Sequence, residues 1–450
     1  MEGAGLRVVL TVAYLANLFP SPVELYVGDE IQELRRRGVR VIAGSVRRPA
    51  ALEEAAEQGI PGDARAPEIV LQPLQLFILL QALLLCLRRW DRISTLLWRI
   101  VFRGAEGPLE RAKALLHTWM GACYAVRLAG RGIEHIHVHH GYFGSWMAMT
   151  AAQLLNVDFS MTLHGSDLLL RKAYLDAKLA ACTFCLTVSE YNRRYIMQHH
   201  AAVEPQKVVV SRLGVEVSER RDPAPASHST RAAEFTMLAV GRLCAVKDHA
   251  FLLRACAQLR TRGINFECSI AGDGPERQRL QSLIRKYGLE LQVTLLGHVP
   301  HEQVDSLYDR ADVVVLTSRS EGIPLVLMEA MARGKIVLAP AITGIPELVV
   351  PGKTGFLYEA GSLDDFLDRL LFIQSLIQGQ HHPHLDPDVR DPELCDDASQ
   401  LNWIRHAARV QVHHNFNRKK NLESFANLFL ERVAAQTESL PHENFVLQQI

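Results

Sequence analysis

Residues 313–340 read VVVLTSRSEGIPLVLMEAMARGKIVLAP, in which two outer apolar runs enclose a polar loop and a further apolar segment. The outer runs, Val313–Thr317 and Ile336–Pro340, have the length and the branched side chains of buried strands. Between them, Gly322 allows a turn and Pro324 suits the first turn of a helix. The order strand, helix, strand predicts a βαβ unit of a parallel sheet.

The same alternation runs along the whole chain of 450 residues. In the first half, the predicted strands are Arg7–Ala13, Val39–Ser45, His135–His139, Phe159–Leu163, Phe184–Val188 and Val208–Leu213. In the second half they are Thr236–Val240, Phe266–Ala271, Val293–Leu296, Val313–Thr317, Ile336–Pro340 and Gly355–Tyr358. Helices such as Glu24–Arg37 fill the gaps. The length exceeds what one core serves, so we predict two doubly wound α/β domains that face each other across a cleft.

Two segments interrupt this alternation. Residues 218–234 are polar, have little apolar surface to bury, and are interpreted as the linker between the domains. Residues 379–400 are rich in histidine, proline and aspartate and are interpreted as an exposed insertion. The histidines of this insertion, at positions 381, 382 and 384, fit either a metal site or a solvated loop, and we favour the solvated loop.

The composition excludes several classes of function. Basic and acidic residues both number 49, so no net charge attracts nucleic acid. The 8 cysteines are spread along the chain, which indicates reduced thiols in a cytoplasm. Cys182 and Cys185 form a CxxC, but they lie in an apolar run typical of a buried strand, and the sequence offers no second cysteine pair for zinc.

A charge-free stretch, Ile69–Leu87, reaches the length that can span a membrane. Pro73 and glutamines at 72, 75 and 81 weaken a spanning helix. Nine cations follow, at positions 88, 89, 92, 99, 103, 111, 113, 127 and 131. An apolar surface beside a basic one is typical of contact with an anionic membrane. A true span and plain packing of two helices also fit the pattern; we predict peripheral contact with the inner face of the membrane.

Two loops after strands of the second half carry candidate ligand-binding residues. In Gly241–Asp248, Arg242 and Lys247 are five residues apart and can converge on an anion, with arginine binding two phosphate oxygens and lysine supplying a point charge. Two solvated surface cations would show the same spacing. In Ala271–Pro275, Gly272 would let the backbone approach a ligand closely, which alone is a weak signal.

The loop within 313–340 adds two carboxylates, Glu321 before the predicted helix and Glu329 within it. The helix N-terminus directs its free N–H groups into the same region. Carboxylates accept hydrogen bonds from hydroxyls, as the binding of a sugar and a ribose requires. Two solvated glutamates fit the pattern equally well at this point. The second half contains neither a GxGxxG motif nor a P-loop, which argues against NAD and ATP.

Taken together and in this order, these loops resemble the retaining family 4 glycosyltransferases of the GT-B fold. The second half carries the resemblance through Gly241–Lys247, the Glu321 and Glu329 pair, Gly297-His298-Val299-Pro300 and Gly344-Ile345-Pro346-Glu347-Leu348. In the first half and at the end of the chain, residues 19–24, 135–139, 159–164, 187–195 and 412–421 are similar to the exopolysaccharide and colanic-acid subgroup. The resemblance covers nearly the whole chain.

The resemblance implies a retaining, metal-independent hexosyltransferase of surface polysaccharide synthesis, without a cofactor. The donor would be a nucleoside-diphosphate sugar, and the acceptor a saccharide or a lipid-linked saccharide. Residues 1–217 would form an acceptor-binding domain, completed by a returning C-terminal helix at 421–450, and residues 235–400 the nucleotide-sugar domain. The protein would be cytoplasmic and peripheral to the membrane.

The resemblance also implies the role of each site residue. Arg242 and Lys247 would hold the donor pyrophosphate, and Glu329 would accept hydrogen bonds from the ribose. Glu321 would accept them from the hexose, and His164 would lie over the transferring sugar; both are counted as catalytic together with the two cations. The other predicted donor contacts are Gly272, Gly297, His298, Val299, Gly322, Ile323, Pro324 and Leu325, and the acceptor-side residues are Glu24 and His139.

Two other functions fit the same fold, a nucleotide-sugar epimerase and a non-catalytic sugar-nucleotide-binding protein. Glycoside hydrolysis is not favoured, because its two carboxylates must flank one sugar bond. Three residues depart from the family pattern. His140 stands where an aromatic is usual, Asp248 where glycine is common, and Glu216 where aspartate usually follows Gly-Val. None of them belongs to the predicted donor set.

Overall fold

The structure is a computed structural model, and it describes residues 9–21, 24–49, 66–103, 106–170, 172–217, 235–379 and 397–437. Within these residues the chain forms two compact units. The first unit comprises the described residues up to Val188, Asn192–Ser211 and those from Leu422 onward; the second comprises Ser189–Tyr191 and Arg212–Asn421. The predicted linker at 218–234 and residues 380–396 of the predicted insertion lie outside the described residues, as do Arg7, Pro22 and Val23.

The first unit is built on a parallel sheet of seven strands. These are β1 (Thr11–Leu18), β2 (Arg40–Arg47), β3 (Ile69–Val70), β4 (His135–His139), β5 (Asp158–Leu163), β6 (Cys185–Thr187) and β7 (Val208–Val210). Their order is β3-β2-β1-β4-β5-β6-β7. The order reverses between β1 and β4, which pair in parallel with Val12 opposite His135. Ligands of such sheets bind beyond the carboxyl ends of the strands that flank this reversal.

Helices fill the connections of the first sheet. They are α1 (Leu25–Arg36), α2 (Leu76–Arg88), α3 (Trp90–Phe102), α4 (Pro108–Leu128), α5 (Phe143–Leu155), α6 (Ser166–Leu169), α7 (Leu175–Ala181) and α8 (Glu190–His199). The helices α4 and α5 pack closely because of Gly121. A Cβ at this position would lie 2.7 Å from the carbonyl oxygen of Met147, so only glycine allows this approach.

The second unit repeats the arrangement with six strands. They are β8 (Phe235–Val240), β9 (Phe266–Ala271), β10 (Val293–Gly297), β11 (Val313–Val315), β12 (Ile336–Pro340) and β13 (Phe356–Tyr358). The order β10-β9-β8-β11-β12-β13 reverses between β8 and β11, which pair in parallel with Val313 opposite Met237. Both units are therefore Rossmann-like, as the sequence predicted.

The helices of the second unit are α9 (His249–Thr261), α10 (Arg277–Tyr287), α11 (His301–Arg310), α12 (Leu325–Ala332), α13 (Ile345–Leu348), α14 (Leu363–Gln378) and α15 (Asp397–Asn415). The helix α12 follows Pro324, and Gly334 follows its last residues with φ of 68°. This positive φ favours glycine and explains why the helix ends there.

The last helix, α16 (Arg418–Thr437), packs on the first unit, which confirms the predicted return of the C-terminal helix. Its apolar side contributes Phe425, Phe429 and Val433 to a buried cluster with Tyr14 and Phe184. The ring of Phe429 lies edge-on to that of Phe184, with centroids 5.7 Å apart. The first unit thus takes part of its core from the far end of the described chain.

Several strand bounds differ by a few residues from the sequence prediction, and three larger differences concern the first unit. The first strand begins at Thr11 and extends to Leu18, rather than covering Arg7–Ala13. The apolar stretch Ile69–Leu87 contains a two-residue strand, β3, which the prediction missed, followed by α2. Cys182 lies just after α7 and not in a strand, although it is buried as predicted.

Within the described residues, every helix is either too short or insufficiently apolar to cross a lipid bilayer.

Candidate active site

The loops after β8 and β11, which flank the strand reversal of the second sheet, bring two predicted residues together. Lys247 ends a 3-10 turn, Ala245–Lys247, that follows β8. Its Nζ donates a hydrogen bond of 2.5 Å to Oε1 of Glu321, in the loop after β11. The two side chains are 22% and 13% exposed. A cation and a carboxylate thus lie in contact where a doubly wound sheet binds its ligand.

Further hydrogen bonds fix these two loops to each other. The backbone N–H of Arg319 donates to the carbonyl of Val246 at 2.8 Å. The hydroxyl of Thr317 donates to the carbonyl of Lys247 at 3.0 Å. Because both contacts adjoin the Lys247–Glu321 pair, its geometry is held by the backbone on either side.

Asp248, one of the departures from the family pattern, has a structural explanation. Its φ of 43° lies in the left-handed region, where glycine is favoured and aspartate is tolerated. Its Oδ1 accepts from the N–H of Phe251 and caps α9, and its Oδ2 accepts from Nε of Arg319 at 2.8 Å. These two hydrogen bonds of the carboxylate offset the cost of the left-handed backbone conformation, a cost that a glycine would not have.

Arg242 lies in the same loop, one residue after Gly241. Its side chain is exposed, and it has no hydrogen-bond or ion-pair partner within the residues that the structure describes. The loop is backed by Gly272, with φ of 142°, where a Cβ would lie 2.0 Å from the carbonyl oxygen of Gly241. The N–H of Gly272 donates to the carbonyl of Gly297 at 2.8 Å. The loops that contain Gly241, Gly272 and Gly297 thus lie in direct contact with one another. The guanidinium of Arg242 remains available to a ligand.

Glu329 is held by a residue that sequence reasoning missed. The hydroxyl of Tyr308, on α11, donates to its Oε2 at 2.8 Å. Tyr308 is almost fully buried, and burial, followed by the charge of Glu329, raises the pKa of its hydroxyl well above the usual value. The phenol therefore remains a donor and orients the carboxylate. No sequence signal connects the two residues, since they lie on separate helices.

The other predicted donor contacts lie around these loops. His298 is exposed, Val299 is half-buried, and Gly297 has φ of 77°. Ile323 and Pro324 are buried, whereas Gly322 and Leu325 are half-buried at the start of α12. The assignment of these residues to the base, the sugar or the phosphates stays a prediction.

In the first unit, the structure brings the predicted His139 and His164 together. Nδ1 of His139 lies 3.1 Å from Nε2 of His164, because β4 and β5 are neighbours and each histidine ends or follows its strand. Glu24, the other acceptor-side residue, lies 3.0 Å from Nε2 of His140. The ring centroids of His140 and His164 are 4.5 Å apart. All three predicted residues therefore belong to one cluster at the carboxyl edge of the first sheet.

Asp167 anchors this cluster and was not predicted. Its carboxylate accepts from the N–H groups of His164, Gly165 and Gly141. Burial alone would raise its pKa, but the positive charge of His140, whose Nδ1 lies 3.7 Å from Oδ2 of Asp167, outweighs burial and holds the pKa well below the usual value. It therefore stays ionised and ties the end of β4 to the end of β5.

His140 carries a positive charge in this arrangement. Burial lowers its pKa, but the carboxylates of Asp167 and Glu24 together outweigh that effect and raise the pKa to about 9. Its φ of 70° is in the left-handed region, and its ring stacks on that of Tyr142 at a centroid distance of 5.6 Å. His140 thus makes a ring-stacking contact at a position where the family usually has an aromatic residue. It also places a positive charge in the cluster, which an aromatic hydrocarbon ring would not.

Glu30, His137 and His139 offer ligand atoms within 4.8 Å of one another, close enough to suggest a metal site. Hydrogen bonds already engage the polar atoms of His137: its ring nitrogens lie 2.7 Å from the hydroxyl of Ser160 and 3.1 Å from that of Thr162.

The remaining departure from the family pattern, Glu216, pairs with Arg418 at 3.2 Å. Among the residues that the structure describes, no hydrogen bond or ion pair joins Glu216 to either cluster.

The fold and the second-unit cluster agree with the comparison to known proteins. The chain belongs to the glycosyltransferases of group 1: residues 221–379 match the family described as Glycosyl transferases group 1.

Among its relatives is AmsK, an amylovoran biosynthesis glycosyltransferase of Erwinia amylovora, 30% identical over 313 residues, or 66% of this chain and 70% of that protein. Another is WcaL of Escherichia coli, named for colanic acid biosynthesis, 33% identical over 229 residues. That alignment covers 50% of this chain and 51% of WcaL, so the chain spans about half the length of this relative.

Solved structures confirm the GT-B type of fold. Sucrose-phosphate synthase from Thermosynechococcus elongatus superposes with a TM-score of 0.66 and 18% identity, covering 95% of this chain and 100% of that chain. At this identity the likeness concerns the fold.

Proposed function

We propose that this protein is a retaining hexosyltransferase that uses a nucleoside-diphosphate sugar and acts in surface polysaccharide synthesis. The observation that carries the proposal is the Lys247–Glu321 pair at the strand reversal of the second sheet. A cation for phosphate and a carboxylate for hydroxyls, placed side by side, match the two chemical parts of a sugar phosphate. The family and the relatives named for polysaccharide synthesis support the same activity.

In this proposal, two side chains supply the positive charge that the reaction needs. Arg242 and Lys247 bind the pyrophosphate and stabilise the charge that develops as the nucleoside diphosphate leaves. A metal ion is therefore not required for charge neutralisation. Glu321 accepts hydrogen bonds from the hexose, and Glu329, oriented by Tyr308, accepts them from the ribose.

We propose that the reaction retains the anomeric configuration, as the resemblance to the retaining glycosyltransferases implies, and that it proceeds without a covalent nucleophile at the proposed phosphate site. The carboxylate placed there, Glu321, is already engaged by Lys247. We propose that the acceptor hydroxyl attacks the anomeric carbon on the face from which the phosphate departs. The bond to the phosphate oxygen breaks, the bond to the acceptor oxygen forms, and the acceptor proton passes to the departing phosphate.

The test uses the purified protein with a panel of UDP- and GDP-hexoses and with free disaccharides or polyprenyl-diphosphate-linked saccharides as acceptors. We expect release of nucleoside diphosphate that depends on an acceptor, persists in EDTA, and gives a product with the anomeric configuration of the donor, read by proton NMR. Epimerised donor in the absence of an acceptor would instead identify an epimerase. Donor binding without turnover across the panel would identify a binding protein.

We further propose that the first unit contacts an anionic membrane and meets a lipid-linked acceptor there. We propose as the contact face the large exposed apolar side chains of α2, α3 and α4: Leu76, Phe77, Leu80, Leu84, Leu87, Trp90, Trp98, Phe102 and Leu109. Phe77, Trp90 and Phe102 are 67%, 57% and 64% exposed. Large apolar side chains grouped on consecutive helices indicate an interaction surface, and tryptophan suits the boundary between lipid and water.

Fewer cations are available beside this face than the sequence suggested. Five of the nine contact protein groups: Arg92, Arg99, Arg111, Arg127 and Arg131. The side chains of the other four, Arg88, Arg89, Arg103 and Lys113, are exposed and have no hydrogen-bond or ion-pair partner in the described part of the chain. These four can meet anionic lipid.

Replacing both Arg88 and Arg89 by glutamate is expected to weaken binding to phosphatidylglycerol vesicles roughly 10- to 30-fold, since each cation near such a surface contributes about 1 kcal/mol. Vesicle sedimentation measures this, and wild-type binding should fall as salt rises. The matched control reverses two other exposed cations of the first unit, Arg40→Glu and Arg194→Glu. An equal loss in the control, or a wild-type protein that stays in the supernatant at low salt, would refute the membrane contact.

A further inference from the structure

Lys178, on α7, is a lysine in the core of the first unit. It is 3% exposed, and its Nζ donates hydrogen bonds to the carbonyl oxygens of Gly141 at 2.6 Å and Tyr142 at 3.3 Å. Among the residues that the structure describes, no carboxylate forms an ion pair with it. Burying an ammonium costs free energy that two backbone carbonyls offset only in part. Stability alone therefore does not explain a lysine at this position.

The ammonium of Lys178 carries its charge in neutral solution. Burial lowers its pKa to about 8, while the carboxylates of Asp167, Asp176 and Glu106 act in the opposite direction. Because this value stays above 7, the protonated form predominates at neutral pH. A charged donor forms stronger hydrogen bonds with a carbonyl than a neutral donor does.

The two carbonyls belong to the loop after β4, residues 140–142, which further hydrogen bonds also hold. The N–H of His140 donates to the carbonyl of Thr162 on β5 at 2.8 Å. The N–H of Gly141 donates to Oδ2 of Asp167 at 2.9 Å. A carboxylate thus holds Gly141 through its N–H, and the ammonium of Lys178 holds it through its carbonyl. The two buried charges together fix the path of the loop.

The loop presents aromatic rings at the carboxyl edge of the first sheet. The ring of Tyr142 stacks on that of His140 with centroids 5.6 Å apart, and its hydroxyl lies 2.6 Å from Oγ of Ser166. Tyr142 is half-buried, so part of its surface is open to solvent. A sugar can pack its C–H groups on such a ring and form hydrogen bonds with the polar tips around it.

The same loop adjoins a helix of the proposed membrane face. Phe143, the next residue, stacks on His117 of α4 with ring centroids 5.0 Å apart. Leu116, the neighbour of His117, is 55% exposed, and Leu109 at the start of this helix is 62% exposed. A saccharide at Tyr142 would therefore lie beside a helix that meets lipid, as a lipid-linked saccharide requires.

We propose that Lys178 is a positioning residue that fixes the loop 140–142, so that Tyr142 binds the saccharide of the lipid-linked acceptor. This inference rests on the proposed function, since it takes the acceptor to be a saccharide carried by a membrane lipid. It adds the surface of the first unit that receives this saccharide, and the buried charge on which that surface depends. Lys178 is itself buried and contacts neither substrate.

The first test is a comparison of kinetic constants. Lys178→Met keeps the length of the side chain and removes the ammonium. We expect the KM for the acceptor to rise about tenfold, the effect of a lost hydrogen bond to a charged group, while kcat and the KM for the donor change little. Initial rates at varied acceptor and saturating donor, and then the reverse, measure this split.

The matched control is Lys207→Met. It removes a half-buried lysine of the first unit that also donates to a backbone carbonyl on α7, that of Ala180 at 3.3 Å, but does not touch the loop. This variant should keep the wild-type constants. An equal rise in the acceptor KM of the control would show a general effect of weakening α7 and would overturn the inference.

A double-mutant cycle tests whether Lys178 acts through the loop. Tyr142→Ala should also raise the acceptor KM about tenfold. The double variant should be no worse than Tyr142→Ala alone, because the ring that Lys178 positions is then absent. Additive effects would contradict an action through Tyr142. If Lys178→Met did not fold, Lys178→Gln, which retains a shorter donor, would replace it in the cycle.

Binding measurements separate this inference from the proposed function. Calorimetry with free disaccharides and with a polyprenyl-diphosphate-linked disaccharide in detergent gives the acceptor Kd without any transfer. If the wild-type protein bound one of these acceptors but transferred no sugar, the proposed function would fail, and the Kd of Lys178→Met would still decide the inference. An unchanged Kd in Lys178→Met, or a wild-type protein that binds none of the acceptors, would overturn it.

Discussion

Lys247→Ala is expected to lower kcat/KM for the donor about 10- to 150-fold, because a hydrogen bond between charged groups contributes about 1.5–3 kcal/mol. The structure adds a second reason for a large effect. Removing the ammonium leaves Glu321, which is 13% exposed, without its partner at the proposed phosphate site. An unpaired carboxylate there would repel a diphosphate. Initial rates at varied donor and saturating acceptor measure the effect.

Arg242→Ala is expected to give a loss in the same range through the ligand contact alone. Its side chain is exposed, so the variant should fold as the wild type does. Lys353→Ala, which removes an exposed lysine of the same unit, serves as the control and should retain wild-type constants. Unchanged kinetics in Lys247→Ala or in Arg242→Ala would remove that residue from the donor site.

The second large effect should separate the two glutamates. Glu321→Gln is expected to lower kcat roughly 100-fold, because an amide accepts hydrogen bonds from two sugar hydroxyls less strongly than a carboxylate does. The amide can still accept from Lys247, so the loop should keep its geometry. The Kd for the free nucleoside diphosphate, which lacks the hexose, should change little.

Glu329→Ala is expected to have the opposite profile. It should weaken binding of the free diphosphate about tenfold, the contribution of a hydrogen bond to a charged group, with a smaller change in kcat. Tyr308→Phe keeps the carboxylate but removes its orienting donor, so a weaker effect of the same kind is expected. Calorimetry with the diphosphate alone measures both. Equal profiles for Glu321→Gln and Glu329→Ala would show that the two roles are not divided in this way.

The fold could be predicted from the sequence because the hydrophobic patterns of strands and helices are periodic and depend on residues close together in the chain. Buried strands such as His135–His139, Phe266–Ala271 and Ile336–Pro340 have the bounds that their apolar runs indicated. The strand β3 was not predicted from the sequence because its two residues form part of a longer apolar stretch that continues into α2. Hydrophobicity alone does not show where a strand ends and a helix begins within such a stretch, because a buried strand and the apolar face of a helix use the same residue types.

Residues of the candidate site could be predicted from the sequence only where a single loop contains a recognisable spacing of functional residues. Lys247 and Glu321 lie in loops with recognisable spacing, and the strand reversal explains why they meet. Tyr308 lies inside an ordinary helix, where a tyrosine has no distinctive spacing. Asp167 follows His164 by three residues, and this spacing does not predict that its carboxylate accepts hydrogen bonds from four backbone N–H groups. Their roles depend on contacts between elements distant in sequence.

The returning helix α16 has a consequence for how the chain is made. During translation, all the strands of the first sheet leave the ribosome long before Phe425 and Phe429 do, so the apolar side of the nascent first unit stays open to water. The second unit, whose described residues end at Asn421, can complete its core earlier. We expect the second unit to fold first although its sequence comes later, and the first unit to depend on protection by chaperones until its last helix arrives. A stop codon just after Asn421 would therefore leave one unit folded and send the other to degradation.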